Sequence, residues 1–177
     1  MKKSNYYLLL ILVISTVLLS FTLPSRLEKK VKKEIKKTFK VENFQLVSIN
    51  VSTEVNLKLS KEIKNQLFKI EKDSTLIGYA YIDKAPSKTD EFDYLILLNK
   101  DLIVAKTKIL IYREDYGGEI GSKRWLKQFI GKNASNTLKY EKDIIAISGA
   151  TISASSMTIA INTFLQNLSI LHKNNVL

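Results

Sequence analysis

The stretch "FDYLILL-NKD-LIVAKTKILIY", residues 92–112, constrains the fold most: two β-rich apolar runs are separated by a loop too short for anything but an antiparallel hairpin turning at Asn99-Lys100-Asp101. In its second arm Lys106 and Lys108 alternate with Ala105, Thr107 and Ile109, which predicts one wet and one dry face. Upstream, "LFKI-EKDS-TLIGYAYI" reads as two more strands around a polar turn, and "NFQLVSINV" as a first strand. "LSKEIKNQLFKI" holds a short helix opened by Ser60 before Leu67 to Ile70 turns extended, and "DKAPSKTDE" reads as a polar loop.

The last long segment behaves differently. Met157, Ala160, Ile161, Phe164, Leu165, Leu168 and Leu171 recur at helical spacing, with Thr158, Asn162 and Gln166 elsewhere on the wheel. Between the hairpin and this helix, "EDYGGEIGSKRWLKQFIGK" gathers Gly117, Gly118 and Gly121 ahead of a short helix carrying Trp125, Leu126 and Phe129 on one face, with Ser122 as its cap. Strands first and helices last predict an α+β domain: antiparallel hairpins packed with helices.

The N-terminus is of another kind. Tyr6 to Leu23 is an 18-residue run broken only by Ser15, Thr16, Ser20 and Thr22. Roughly 20 apolar residues cross a bilayer, so one N-terminal transmembrane helix is expected. Ser20 and Thr22 make a poor signal-cleavage pair, which favours an uncleaved anchor over a signal peptide. The expected organisation is anchor 1–25, basic stalk 26–41 and folded domain 42–177.

Charge follows the same division. Arg26 to Lys40 carries eight basic residues and two acids, whereas residues 41–177 carry 18 basic and 15 acidic ones, so most of the net charge of +11 lies outside the folded part. With +3 on the domain and no recognition module, nucleic acid is not an expected partner. In the stalk Leu27, Val31, Ile35 and Phe39 stand four apart, a narrow apolar stripe that suits lipid headgroups, the domain surface or a solvated helix. The positive-inside rule alone would put the domain in the cytoplasm. Cysteine is absent, which excludes disulfides and thiolate chemistry, and the single His172 reads as a helix C-terminal residue, so no metal site is expected.

"ISGATISASS" precedes the final helix. Hydroxyls and free N–H groups at a positive helix end make both an ordinary cap and an anion site, and on these grounds alone the cap is the stronger reading. The tetrad Ser148-Gly149-Ala150-Thr151, one further residue, a hydroxyl and a helix resemble the flavinylation motif of the FMN-binding domain family, found in the C subunit of the sodium-pumping NADH:quinone oxidoreductase and the G subunit of the Rnf complex. "IGYAYI", the long hairpin, "REDYGGEIG" and "SKRWLKQFIG" follow in the family's order, over about residues 67–170.

The resemblance implies FMN joined to Thr151 through a phosphoester by a dedicated flavin transferase, with Ser148, Gly149, Ala150 and Ser153 around the phosphate and Glu114 and Gly117 in the segment beside the flavin. Tyr116 and Trp125 are candidate aromatic neighbours of the ring, although Trp125, on one face with Leu126 and Phe129, reads more strongly as a core residue. It further implies a one-electron carrier rather than a self-contained enzyme, held by one membrane segment in the lipid bilayer on the extracytoplasmic side and partnered by subunits of a membrane redox complex. Two departures bear on the bond. The acid usual six positions before the acceptor is Ile145 here, with Asp143 two residues away, and of the pattern around "YREDYG" only Glu114 and Gly117 remain. Asp143 reaching in, FMN held without a bond, and a decayed site all stay open, and in the last two cases the chain would be a non-covalent or flavin-free assembly subunit of a redox complex.

Overall fold

The computed structural model describes residues 24–177; the expected membrane anchor lies almost wholly outside them. Among the described residues no helix is long and apolar enough to cross a membrane.

Five strands form one antiparallel sheet in sequence order: β1 (Gln45–Ser48), β2 (Leu67–Lys72), β3 (Thr75–Pro86), β4 (Glu91–Leu98) and β5 (Val104–Ile111). The β2–β3 turn is Asp73-Ser74, both at positive φ (48° and 61°), as a two-residue hairpin loop requires. The β4–β5 loop is longer than the expected three residues. It spans 99–103, because Asn99 Oδ1 accepts from the N–H groups of Asp101 (3.0 Å) and Ile103 (2.9 Å) and carries the turn two residues further.

Two expectations fail locally. "DKAPSKTDE" is mostly strand: β3 continues to Pro86, and only Ser87 to Asp90 turn, closed by Ser87 N–H on the Asp90 carbonyl (2.7 Å). The loop composition was misleading because Ala85 faces the core while Lys84 and Pro86 point out, a strand alternation hidden by its polar members. Ser60 opens no helix either. The helix in that region is α2 (Thr53–Asn56), capped by Ser52, and the Ser60 N–H is held by Asn167 (2.9 Å).

Helices cover both faces of the sheet. Helix α1 (Ser25–Phe39) lays Leu27, Val31 and Ile35 on Phe68, Ile70, Ala80, Ile82, Leu95, Leu97 and Leu110. The stalk's apolar stripe is therefore buried against the domain, each side chain contributing about 1.5–3 kcal/mol of transfer free energy as an upper bound. Helix α4 (Thr151–Lys173) covers the other face, where Tyr81 stacks on Phe164 (4.1 Å, 11°) above Tyr94 and Ile96. Burial on both sides explains why Phe92 to Leu98 is buried without a break. Between β5 and α4 lies the 3₁₀ turn Gly118–Gly121, then α3 (Lys123–Leu126), where Ser122 accepts from Trp125 N–H (3.3 Å) as expected.

The polar side of α4 is not idle. Asn162 accepts from Leu138 N–H (2.7 Å), and buried Asn167 donates to the Lys61 carbonyl (2.9 Å) while holding Ser60. These bonds fix the helix along its axis, and so fix where its first residue stands.

Gly78 shows how closely α1 approaches. A Cβ there would lie 2.4 Å from the Leu98 carbonyl oxygen and 2.8 Å from the Phe39 ring. Gly78→Ala is expected to cost about 1–3 kcal/mol through forced repacking, read as a lowered midpoint in urea unfolding with an unchanged slope.

Candidate functional site

The site begins with how the chain enters α4. Ile147 to Ala150 form a turn closed by Ala150 N–H on the Ile147 carbonyl (3.1 Å). Gly149 sits at its third position with φ +79°; a Cβ there would meet nothing within 4 Å, so glycine is needed for the dihedral and not for space. The helix then starts at Thr151, whose exposed side chain stands on the first turn, and Ala154 N–H on the Ala150 carbonyl (2.9 Å) closes the first hydrogen-bonded loop.

The cap reading is corrected here. Ala150 occupies the cap position and no side chain bonds the first turn. Ser148 stands within that turn, two residues short of the cap position, and Ser153 already lies inside the helix, so neither hydroxyl has the cap's place. The leading N–H groups of Thr151 to Ser153 carry the helix's positive end without a side-chain acceptor.

In front of Thr151 is a cleft of about 700 Å³, within the range of small-molecule sites. Its walls are the β3–β4 turn (Lys88, Thr89, Asp90), the segment after β5 (Tyr112 to Tyr116) and Gly149 to Ser153. Thr151, Gly149, Ala150, Ser153 and Glu114 are thus brought to one cleft, and Ser148 lines another. Gly117 lies just behind: its φ is +84°, and a Cβ would come 2.6 Å from the Tyr112 hydroxyl and 3.4 Å from Ala150 Cβ.

Tyr112 is the residue that sequence reasoning missed. Its hydroxyl donates to the Tyr116 carbonyl (3.0 Å) and lies 3.0 Å from Ser153 Oγ. A phenol has one proton, so Ser153 is the donor in that second bond. Ser153 is 3% exposed, its hydroxyl turned inward to join the motif to the segment after β5. No local pattern signals this pair, because Tyr112 ends an apolar run and its partner lies 41 positions on.

Glu114 has a defined partner. Its Oε1 accepts from Thr89 N–H (2.6 Å), Thr89 Oγ1 (3.2 Å) and Asp90 N–H (3.2 Å). The Thr89 backbone bond is the main reason its carboxyl is held below the usual range, with the Ser87 hydroxyl next. Glu114 therefore ties two walls of the cleft together. Beside it Arg113 pairs with buried Asp93 and donates to the Glu91 carbonyl (2.7 Å).

The two aromatic candidates separate. Tyr116 is 85% exposed on the cleft's lip with half-exposed Ile152, whereas Trp125 is buried edge-on to Phe129 and donates to the Ile145 carbonyl (2.7 Å). Ile145 projects into solvent (72% exposed) over the second cleft, about 830 Å³, that also takes Ser148. Asp143 bends back to accept from Lys139 N–H (2.8 Å) and lines neither cleft.

The donor set fits a phosphate-bearing aromatic ligand: helix-start N–H groups without a side-chain acceptor, the Thr151 hydroxyl, Lys88 across the cleft with no ion pair among the described residues, and an apolar lip. Residues 88–166 match the FMN-binding domain family. No curated protein matches the chain.

Two outcomes are expected. Gly117→Ala should cost about 1–3 kcal/mol from the left-handed dihedral and the contact with Tyr112, and in a double-mutant cycle with Tyr112→Phe the combined loss should fall short of the sum. The Glu114 carboxyl has its folded value below its unfolded one, so its hold on Thr89 and Asp90 is complete above the ordinary carboxylate range and lost as pH falls through the depressed value. Protection factors of the Thr89 and Asp90 amides should drop in that acidic window, and Glu114→Gln should remove the step.

Proposed function

We propose, from the premise that residues 88–166 form an FMN-binding domain, that the chain is a membrane-anchored electron carrier holding FMN on Thr151. The observation that carries this reading is the exposed Thr151 hydroxyl at the uncapped start of α4, opening on a cleft of about 700 Å³. Bound FMN supplies reversible redox chemistry that no side chain of the cleft offers.

The rest belongs to the chain. Thr151 Oγ is the attachment oxygen, the N–H groups at the start of α4 face the phosphate charge, and Lys88 adds a cation across the cleft. Tyr116 and Ile152 give the ring an apolar border and leave one side open to a partner. Glu114 and the Tyr112–Ser153 pair keep the three walls in register, which is the orientation a carrier needs. Tyr6 to Leu23 would hold the domain at the membrane beside redox-complex subunits, on the extracytoplasmic side, with a flavin transferase forming the bond.

A second reading is favoured by one observation. Ile145 is exposed where the family's acid stands, and Asp143 is committed to its own turn. Without a carboxylate near the motif the transfer step loses positioned charge, and the same cleft would hold FMN reversibly.

Co-expression with a flavin transferase separates the two. Covalent attachment predicts a fluorescent band in a denaturing gel and the mass of one FMN phosphoester, both lost in Thr151→Ala. Reversible binding predicts a yellow native protein that loses its colour on denaturation, and a gain in the covalent fraction in Ile145→Asp.

A further inference from the structure

A groove at the β5 edge of the sheet, between α1 and the α3 region, is lined by Glu34 and Lys37 of α1, by residues 105–108 of β5, and by Lys123, Leu126 and Lys127. Its volume is about 350 Å³. Five lysines (Lys37, Lys106, Lys108, Lys123 and Lys127) meet there against one carboxylate. Among the described residues none of the five forms an ion pair. Three elements distant in sequence have brought like charges together, an arrangement that repels itself unless an anion is present.

The groove continues a larger surface. With Leu27, Val31 and Ile35 spent on the sheet, the face of α1 left to solvent carries Lys29, Lys32, Lys33, Lys36 and Lys37 over a helix about 22 Å long. Because the apolar stripe is buried, α1 cannot insert among acyl chains as an amphipathic helix does. Any attachment made by this face is electrostatic and stays at headgroup level.

We infer that the outer face of α1 and the lysine groove beside it form a docking surface for anionic phospholipid headgroups, with the groove receiving their phosphates. An acidic protein offers the same sign of charge. Position favours lipid: the apolar run Tyr6 to Leu23 ends two residues before α1 begins, so α1 starts at the headgroups of any bilayer that run enters, within the screening length of about 8–10 Å. This clause rests on the anchoring reading above. Since α4 and its first residue Thr151 lie across the sheet from α1, a bilayer on the basic face leaves the flavin cleft open to partners.

The test is lysine acetylation of the full chain by a water-soluble reagent, read residue by residue by mass spectrometry, in nanodiscs of phosphatidylcholine alone or mixed with phosphatidylglycerol. Lys37, Lys106, Lys108, Lys123 and Lys127 should label several-fold more slowly in the anionic discs, reversibly with high salt, while exposed Lys142 and Lys173 do not change. Equal labelling of the groove lysines in both discs overturns the inference. Protection by soluble polyglutamate but not by phosphatidylglycerol overturns it in favour of an acidic protein. A chain that stays soluble without detergent refutes the anchor alone; it is then incubated with phosphatidylglycerol vesicles, where groove protection supports the lipid surface and its absence refutes it. Lys106→Gln/Lys108→Gln should weaken protection of Lys37 and Lys123 and leave the flavin content unchanged.

Discussion

The structure depends on a sheet that is buried on both faces. A five-stranded antiparallel sheet can leave one face to water, but here α1 and α4 each cover one side, so β4 carries apolar residues in every position from Tyr94 onward. That constraint sets the rest. It takes the apolar stripe of α1 out of reach of lipid, turns its lysines outward, and holds α4 rigidly enough for its first turn to serve as one wall of a cleft.

The cleft itself is assembled from three segments that share no element. The β3–β4 turn, the segment following β5 and the start of α4 meet because Glu114 accepts from the first and the Tyr112–Ser153 bond joins the other two. Gly117 and Gly149 serve this meeting in different ways: Gly117 leaves room for the Tyr112 hydroxyl, whereas Gly149 supplies a left-handed turn in open space. Polar bonds at the edge of the sheet thus do for the site what apolar burial does for the fold.

Much of the fold was legible. The hairpin arms, the final helix and the Ser122 cap follow from alternation, helical spacing and a hydroxyl at the right offset, all local signals. Where reading failed, composition outweighed pattern: Lys84 and Pro86 disguised the end of β3, and Ser60 resembled a cap although its N–H is used by Asn167, 107 positions away. At the site, Thr151, Gly149, Glu114 and Gly117 stand out in the sequence through glycine, hydroxyl and resemblance. Tyr112 and Lys88 do not, since a tyrosine ending a strand and a lysine in a turn are ordinary in isolation.

The sequence by itself determined the antiparallel hairpins, the long C-terminal helix, the separation of a lysine-rich segment from a near-neutral domain, and a motif whose hydroxyl precedes a helix. Each rests on residues within a few positions of one another. Only the tertiary structure decided that the helix start is uncapped, that Ser153 turns inward, that Asp143 is spent on its own turn, and that lysines of α1, β5 and the α3 region share one groove. The reason is physical: a hydrogen bond or a field between charges depends on separation in space, and the Tyr112–Ser153 bond and the lysine groove acquire theirs only when segments distant in sequence pack on the sheet.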